Sequence, residues 1–209
     1  MDFTYLFPPY DNLVSKADLA FQKIENEHPQ CMKCKVRCSD CCHAVFGLFL
    51  IEAAFLKRDF DRLDEKVRRE ALLRSDRADR DLERLEKKLK TFDNDLQMKA
   101  YTLARERVRC PLLDDDNECI LYPYRPITCR VYGIPTSIQG RARVCNKADF
   151  KKDEFYPTFD LDAAFRELYA LSKELLKNMG GKDVERASLL ISVSRAVRTP
   201  IHDIINEIL

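Results

Sequence analysis

Residues 31–42 have the sequence CMKCKVRCSDCC, which puts Cys31, Cys34, Cys38, Cys41 and Cys42 within one twelve-residue stretch. Steps of two or three residues allow a single turn of backbone to direct two thiolates at one metal, and such spacings recur in zinc and iron–sulfur sites. Four of these cysteines also follow the three–four step of a helix, so a core stripe of small side chains is the alternative. The stretch is basic between its cysteines and has no Leu, Ile or Phe. Metal binding is therefore the better interpretation.

A second group of four cysteines lies further along the chain. Its members are Cys110, Cys119, Cys129 and Cys145, in a region with four prolines, two glycines and the turn-forming run from Asp114 to Asn117. This composition predicts loops and a short hairpin rather than helix. The sequence therefore predicts a metal centre built from loops, which joins residues 31–42 to residues 110–145.

The composition indicates a globular, mainly α-helical protein with a charged surface. Hydrophobic residues make up 45% of the 209 residues and charged residues 34%, with five glycines and no tryptophan. Helix-forming residues dominate the long runs, which favours an α fold. The net charge of +1 gives no reason to expect a nucleic-acid partner. We predict one metal-binding domain over residues 1–209.

The N-terminal residues and the hydropathy predict a cytoplasmic protein without a membrane anchor. Residues 1–9 contain no basic leader, no sustained apolar core and no cleavage site for a signal peptidase. The longest apolar stretch, residues 44–56, is shorter than the roughly 20 residues needed to span a bilayer. In a reducing compartment, cysteines are expected as thiols or metal ligands rather than as disulfides.

Helical patterns flank both cysteine groups. We expect helices over residues 11–28, 45–60 and 183–197, one from residue 160 to the glycines at 180 and 181, and a last one that starts at the Thr199-Pro200 pair.

Residues 57–109 form a charged helical insertion between the two cysteine groups. Thirty of these 53 residues are charged, and none is glycine or proline. Apolar residues recur at three- and four-residue steps, as in the narrow seam of a coiled coil; they are Leu82, Leu85, Leu89, Phe92, Leu96 and Leu103. We predict one long helix or a helical hairpin, with a protein partner or self-association through residues 64–103. A surface helix that covers the core is the alternative.

The adjacent pair Cys41 and Cys42 bears on the number of metals. Because neighbouring side chains diverge, both are not expected to reach one ion in a tetrahedral site. The pair therefore predicts two metal centres, or one larger cluster, rather than a single four-cysteine zinc.

The cysteine pattern resembles the YkgJ-like CxxCxxCC family of zinc- or iron-chelating domains, which have eight cysteines. The resemblance rests on Cys34-x3-Cys38-x2-Cys41-Cys42, on Cys110-Pro-Leu-Leu, on Cys119-Ile-Leu-Tyr-Pro-Tyr-Arg-Pro-Ile-Thr-Cys129-Arg-Val-Tyr and on Cys145. It implies the metal ligands Cys34, Cys38, Cys41, Cys42, Cys110, Cys119, Cys129 and Cys145, and it leaves Cys31 outside the set. The family is in turn distantly similar to flagellin lysine N-methylases, iron–sulfur proteins that use S-adenosylmethionine. That similarity favours an iron–sulfur cluster over Zn²⁺.

Two arginines, Arg125 and Arg130, flank the ligands of the second cysteine group. We expect them to neutralise the negative charge of a thiolate-bound centre and to donate hydrogen bonds near it. The alternative is that they hold an anionic substrate. The sequence contains no Ser-His-Asp pattern, phosphate-binding glycine loop or dinucleotide motif, so no catalytic residue is assigned.

Three functions remain open from the sequence. The first is a metal-binding protein with an iron–sulfur centre that is redox-active or closes the fold. The second is a metal-dependent methyl- or group-transferase that uses S-adenosylmethionine. The third is a zinc-stabilised interaction module whose charged helix binds a partner.

Overall fold

The computed structural model describes residues 3–35, 37–92, 94–181 and 183–208. The helices are α1 Phe7–Glu27, α2 Leu50–Phe60, α3 Glu65–Lys90, α4 Leu96–Arg105, α5 Ile127–Val131, α6 Leu161–Asn178, α7 Val193–Arg198 and α8 Ile201–Ile208. The strands are β1 Thr136–Ile138, β2 Arg141–Arg143 and β3 Phe159–Asp160. The prediction of a mainly α fold is confirmed.

Helix α1 starts four residues earlier than predicted. Pro8 and Pro9 lie in its first turn, where a missing backbone N–H removes no helical hydrogen bond. Its buried side chains include Tyr10, Leu13 and Ile24, which pack into the core. The helix ends just before Pro29, as the sequence predicts.

Helix α2 lies at the centre of the core, and nine of its eleven residues are buried. The predicted start at residue 45 is wrong because residues 44–49 pair with distant segments instead. Ala44 forms an antiparallel bridge with Arg107, and Leu48 forms one with Ile191. Gly47 allows the second pairing, since a Cβ atom there would lie 2.5 Å from the Cβ atom of Leu190.

The charged insertion forms two helices of different character. Helix α3 buries Ala71, Ser75, Ala78 and Leu85 and packs against α7, so it belongs to the core. Helix α4 begins at the cap Asp95 and buries only Thr102 among its residues. The first half of the insertion is therefore structural, and the second half lies at the surface.

The C-terminal part is less helical than predicted. Helix α6 starts at the cap Asp160 and ends before Gly180, whose φ is +89°. The predicted helix over residues 183–197 is wrong: a 3-10 turn at Val184–Ser188 and an extended stretch precede the short α7. The extended stretch supplies the Ile191 bridge to Leu48.

The small sheet has the order β2-β1-β3. Strands β1 and β2 form the short antiparallel hairpin expected in the second cysteine region, with Thr136 opposite Arg143, and β3 pairs with β1 in parallel. Across the described residues, no helix has both the length and the hydropathy needed to cross a membrane.

Candidate metal centre

One cavity of about 660 Å³ brings the two cysteine groups together. The eight cysteines of the predicted ligand set all line it: Cys34, Cys38, Cys41, Cys42, Cys110, Cys119, Cys129 and Cys145. Cys31 does not line it; this buried thiol lies 3.9 Å from the Tyr156 hydroxyl oxygen. The structure therefore separates the ninth cysteine from the other eight, whose role as ligands stays a prediction.

Backbone pairing holds the two groups side by side. The N–H of Cys110 donates to the carbonyl of Cys42 at 2.7 Å, and the N–H of Val108 donates to the carbonyl of His43 at 3.0 Å. Together with the Ala44–Arg107 bridge, these bonds form a short antiparallel ladder. The ladder fixes the first cysteine of the second group against the last cysteine of the first.

A tight turn presents Cys119 in the second group. Leu113 and Cys119 form an antiparallel bridge, and the Asp114 side chain accepts hydrogen bonds from the N–H groups of Asp116 at 3.0 Å and Glu118 at 2.8 Å. Aspartate commonly closes turns in this way. The aspartate run is thus a turn, as the sequence predicts.

Helix α5 carries Cys129, and a buried carboxylate anchors this helix to the core. Glu52 of α2 accepts hydrogen bonds from the N–H groups of Phe49 at 3.1 Å and Ile127 at 3.0 Å. Burial raises the pKa of Glu52 to about 7, although these hydrogen bonds act in the opposite direction. The sequence shows Glu52 only as an interruption of an apolar run, and its role depends on long-range packing.

Gly133 leaves room for the Cys34 sulfur. A Cβ atom at residue 133 would lie only 2.1 Å from Cys34 Sγ. The absence of a side chain therefore lets α5 and the first cysteine segment approach each other closely.

The sulfurs of Cys41 and Cys42 lie 3.9 Å apart, so the expectation that these neighbours diverge is wrong. Both belong to the 3-10 turn Cys41–His43. A tetrahedral zinc site with Zn–S bonds of 2.3 Å has sulfurs about 3.8 Å apart. Yet no three Cys, His, Asp or Glu side chains in the described part of the chain converge closely enough to hold one ion. The thiols therefore line a cavity and do not converge on a single ion-sized site.

The thiols form two neighbouring sets within the cavity. Cys34, Cys38 and Cys145 also line a small second cavity of about 10 Å³. Cys42, Cys110, Cys119 and Cys129 form the other set, and Cys41 lies near both, since its charge acts on Cys34 as well as on Cys110 and Cys129. Eight thiols thus divide into two sets of about four, with Cys41 between them.

Burial keeps most of these thiols protonated in the absence of a cation. It raises the pKa of Cys34 and of Cys110 to about 12 and that of Cys129 well above its ordinary value, and nearby thiolate charges add to the effect. Cys41 differs because a hydrogen bond from the Cys42 thiol outweighs burial and lowers its pKa to about 7. A bound cation reverses this balance, because metal ligation requires thiolates.

Asp40 is a functional-site residue that the sequence analysis missed. This buried carboxylate accepts a hydrogen bond from the Cys145 thiol at 3.4 Å and pairs with Arg107 and with Lys147, whose Nζ lies 3.7 Å away. Burial alone would raise the Asp40 pKa, but the Arg107 charge and the hydrogen bonds outweigh it and lower the pKa. Its position directly before Cys41-Cys42 is the one signal the sequence offers.

The two arginines of the predicted site differ in location. Arg125 lines the cavity, with its guanidinium 3.6 Å above the centre of the Tyr122 ring. Hydrogen bonds with Cys42 lower the pKa of Cys41 and of Cys119, and the Arg125 charge adds to this effect. Arg130 does not line the cavity. It is buried and donates to both Asp18 oxygens, at 2.9 and 2.8 Å, and to the Arg125 carbonyl at 2.7 Å. A carboxylate of α1 therefore already pairs with the Arg130 guanidinium. The expectation that the two arginines neutralise the centre stays a prediction, as does the alternative that they hold a substrate anion.

The donor set fits a thiolate-ligated metal centre. Eight sulfurs are present around one buried space, and soft thiolate ligands favour zinc and iron–sulfur clusters over magnesium or calcium. His43 does not add an imidazole ligand there, since its Nδ1 lies 2.9 Å from the Ser39 carbonyl and its ring is outside the cavity wall.

The model of one protein family matches residues 30–146, more than half of the chain. The family is CxxCxxCC, described as "Putative zinc- or iron-chelating domain". No curated protein and no solved structure matches the chain. The matched range contains all nine cysteines and both helices of the charged insertion. The resemblance stated from the cysteine spacing is thereby confirmed, and the chain belongs to the CxxCxxCC family of zinc- or iron-chelating domains.

Proposed function

We propose that this protein is a cytoplasmic iron–sulfur protein, with its eight cavity-lining cysteines as the ligands. The observation that carries the proposal is the arrangement of the thiols: eight sulfurs surround one cavity, and among the described residues no three of them converge on a single ion. A cluster contains several metal atoms and inorganic sulfides, so its ligands lie further apart than those of a lone ion. The two neighbouring sets of thiols allow two clusters.

The electrostatics of the cavity support an anionic centre. Four thiolates give a zinc ion a net charge of −2, and thiolate-ligated clusters are likewise negative. Arg125 contributes a positive charge at the cavity wall, and its stacking on Tyr122 fixes its position. Hydrogen bonds and charges around the sulfurs are among the features that set the potential of a cluster.

The chain's own residues surround the centre and fix the segments that carry its ligands. Apolar side chains of α1, α2 and α3 enclose one side of the cavity, with Phe21, Leu56 and Ala78 among them. Asp40 holds the Cys145 thiol, and the ladder between Cys42 and Cys110 fixes the distance between the two segments. A cluster bound there supplies electron transfer, or links the two segments without changing its oxidation state.

Anaerobic purification with metal analysis tests the proposal. We expect a brown protein with broad absorbance at about 400 nm from sulfur-to-iron charge transfer, and with iron and acid-labile sulfide in similar amounts. A colourless protein with about two zinc ions per chain would contradict it and favour four-cysteine zinc sites.

A matched pair of variants identifies the ligands. Cys119→Ser should lose most of the bound metal, since Cys119 lies in the cavity wall. Cys31→Ser should retain it, because Cys31 lies outside the cavity and serine keeps a hydroxyl next to Tyr156. Equal metal content in the two variants would exclude the proposed ligand set.

A transferase that uses S-adenosylmethionine is the second candidate function. The observation in its favour is the cavity itself, which extends from the thiols to an apolar wall formed by α3 and α7. Equilibrium dialysis of the metal-loaded protein with S-adenosylmethionine tests this candidate, and an absence of binding at millimolar concentration would exclude it.

A further inference from the structure

The cavity wall contains an apolar part as well as the thiols. This part, called the apolar end, is formed by α2, α3, α7 and residues 44–46; its side chains are Val45, Phe46, Leu56, Ala78, Leu82 and Val193, and Ser192 and Ser194 lie beside Val193 in the wall. Cavities that bind small organic molecules have volumes of about 300 to 1,000 Å³ and combine apolar walls with a few polar groups. The volume of 660 Å³ lies within this range, and a bound metal centre would take part of it. The apolar side chains offer no ligand to a metal, so metal binding alone does not explain them.

The wall residues at this end are small or only partly buried. Val45, Phe46, Leu82 and Val193 line the cavity and are partly exposed, while Ala78 presents only a methyl group. Apolar side chains of a closed core normally contact one another on all sides. Their partial exposure to the cavity leaves apolar surface that an apolar ligand would cover.

Arg125 provides a polar anchor in the same cavity. Of the three arginines in the wall, Arg37 lies 3.2 Å from a Glu118 oxygen and Arg109 lies 3.9 Å from an Asp115 oxygen. Arg125 has no carboxylate partner among the described residues; its Nε donates to the Tyr122 carbonyl at 3.0 Å. Its two terminal nitrogens keep donors in the fork arrangement that suits a carboxylate or a phosphate.

Two of the three carboxylates in the wall have basic partners. Asp40 pairs with Arg107 and Lys147, and Glu118 pairs with Arg37. Glu25 of α1 also lines the cavity and has no basic partner in the described part of the chain. Arg125, held by its stacking on Tyr122, provides the positive charge that an organic anion would contact, in the same wall as the thiols.

We propose that the cavity binds a small organic anion, with an apolar body against α3 and α7 and a carboxylate or phosphate on Arg125. The proposal is independent of which metal the thiols hold. It adds a ligand site to the proposed metal-binding function and names the chemistry of its ligand.

Isothermal titration calorimetry of the metal-loaded full chain tests the proposal with three probes of one size class. Phenylacetate and phenyl phosphate carry the anion on an aromatic body, and 2-phenylethanol carries the same body without a charge. We expect at least one anion to bind at least about tenfold more tightly than the alcohol, as a charge-assisted hydrogen bond predicts. The tighter anion identifies the head group. Equal affinities for the alcohol and both anions would overturn the proposal.

Two variants test which residues of the cavity contact the head group and the apolar body of the ligand. Arg125→Gln should lower the affinity for the preferred anion at least about tenfold and leave the affinity for the alcohol unchanged. Leu82→Phe, which fills the apolar end, should lower the affinity for all three probes. Glu25→Gln is the matched charge control, and it should leave anion binding unchanged or tighter.

Metal content and circular dichroism are measured on every variant. If Arg125→Gln binds the anion as tightly as the wild-type protein, the proposal fails. If this variant instead loses metal, Arg125 serves the metal centre and the organic-ligand site is overturned, while the proposed metal-binding function stands. Should Leu82→Phe fail to fold, the Arg125→Gln result alone decides.

Discussion

At residue 133 the chain has no room for a side chain, because a Cβ atom there would lie 2.1 Å from Cys34 Sγ. We predict that Gly133→Ala displaces Cys34 and lowers the metal content of the purified protein. Overpacking of this kind typically costs about 1–3 kcal/mol of folding free energy. Metal analysis and urea unfolding of the same sample measure both effects.

Gly140→Ala is the matched control for this substitution. Gly140 has a φ of +68°, and no atom lies within 4 Å of the place where its Cβ atom would be, so alanine strains the backbone there without touching a cysteine. It should lower stability modestly and leave the metal content unchanged. A similar loss of metal in both variants would show that stability, rather than the contact with Cys34, controls metal binding.

The raised pKa of Glu52 predicts that the free energy of unfolding depends on pH. The unfolded chain loses this proton near pH 4.5 and the folded protein near pH 7, because burial raises the pKa. Between these values the folded state holds more protons, so stability falls as pH rises, by up to about 3 kcal/mol. Glu52→Gln should flatten this fall in urea unfolding between pH 5 and 8. The exposed Glu70→Gln should keep it, and an unchanged slope in Glu52→Gln would contradict the prediction.

Metal uptake should become more favourable as pH rises. Cys34 and Cys110 have pKa values near 12 without a cation, so each must lose a proton when it ligates a metal. Metal affinity, measured by competition with a chelator between pH 6 and 8, should therefore increase with pH. The uptake should also release protons into a weakly buffered solution. An affinity that is independent of pH would mean that these two thiols are not ligands.

At the scale of the element, the same leucine-to-alanine substitution can be made at a buried position of α3 and at an exposed position of α4. Leu85 is 5% exposed and Leu96 is 77% exposed. Leu85→Ala should cost about 2–4 kcal/mol in urea unfolding, whereas Leu96→Ala should stay within about 0.5 kcal/mol. A large effect of Leu96→Ala would indicate that a second copy covers this surface, and sedimentation velocity would then detect the association. The partner surface predicted over residues 64–103 stays a prediction, and the exposed α4 is the part of it that Leu96→Ala tests.

The elements that the sequence predicted well are those with local signals. The cap Asp160 and the glycine at 180 define the two ends of α6, and the Thr199-Pro200 pair precedes α8. The prediction of helix over residues 45–49 and 189–192 is wrong because these two segments pair with each other across the molecule, as the Leu48–Ile191 bridge shows. Helical propensity is a local quantity, and such a pairing overrides it.

For the whole molecule, the two cysteine groups predicted one metal centre, and the family resemblance indicated which eight cysteines belong to it and left Cys31 outside. All eight line one cavity, but the sequence did not predict how they are held there. The apolar end of that cavity depends on the packing of α2, α3 and α7, and the bonds of Asp40 depend on the segments that bring Arg107, Cys145 and Lys147 to it. No residue pattern in the cysteine segments reports on them, because the contributing side chains are far apart in the sequence.

Removal of the metal should destabilise the entire domain. The centre joins residues 31–42 to residues 110–145 and so closes a long loop that contains α2 and α3. A ligand that binds only the folded state stabilises it by about 4 kcal/mol at a thousandfold excess over its Kd. We expect the melting temperature to fall on anaerobic treatment with a chelator, and to recover when the metal is restored. Helicity should persist in part, because α1, α2 and α6 share a core outside the cysteine cavity. An unchanged melting temperature would mean that this core alone maintains the fold and that the metal serves chemistry rather than structure.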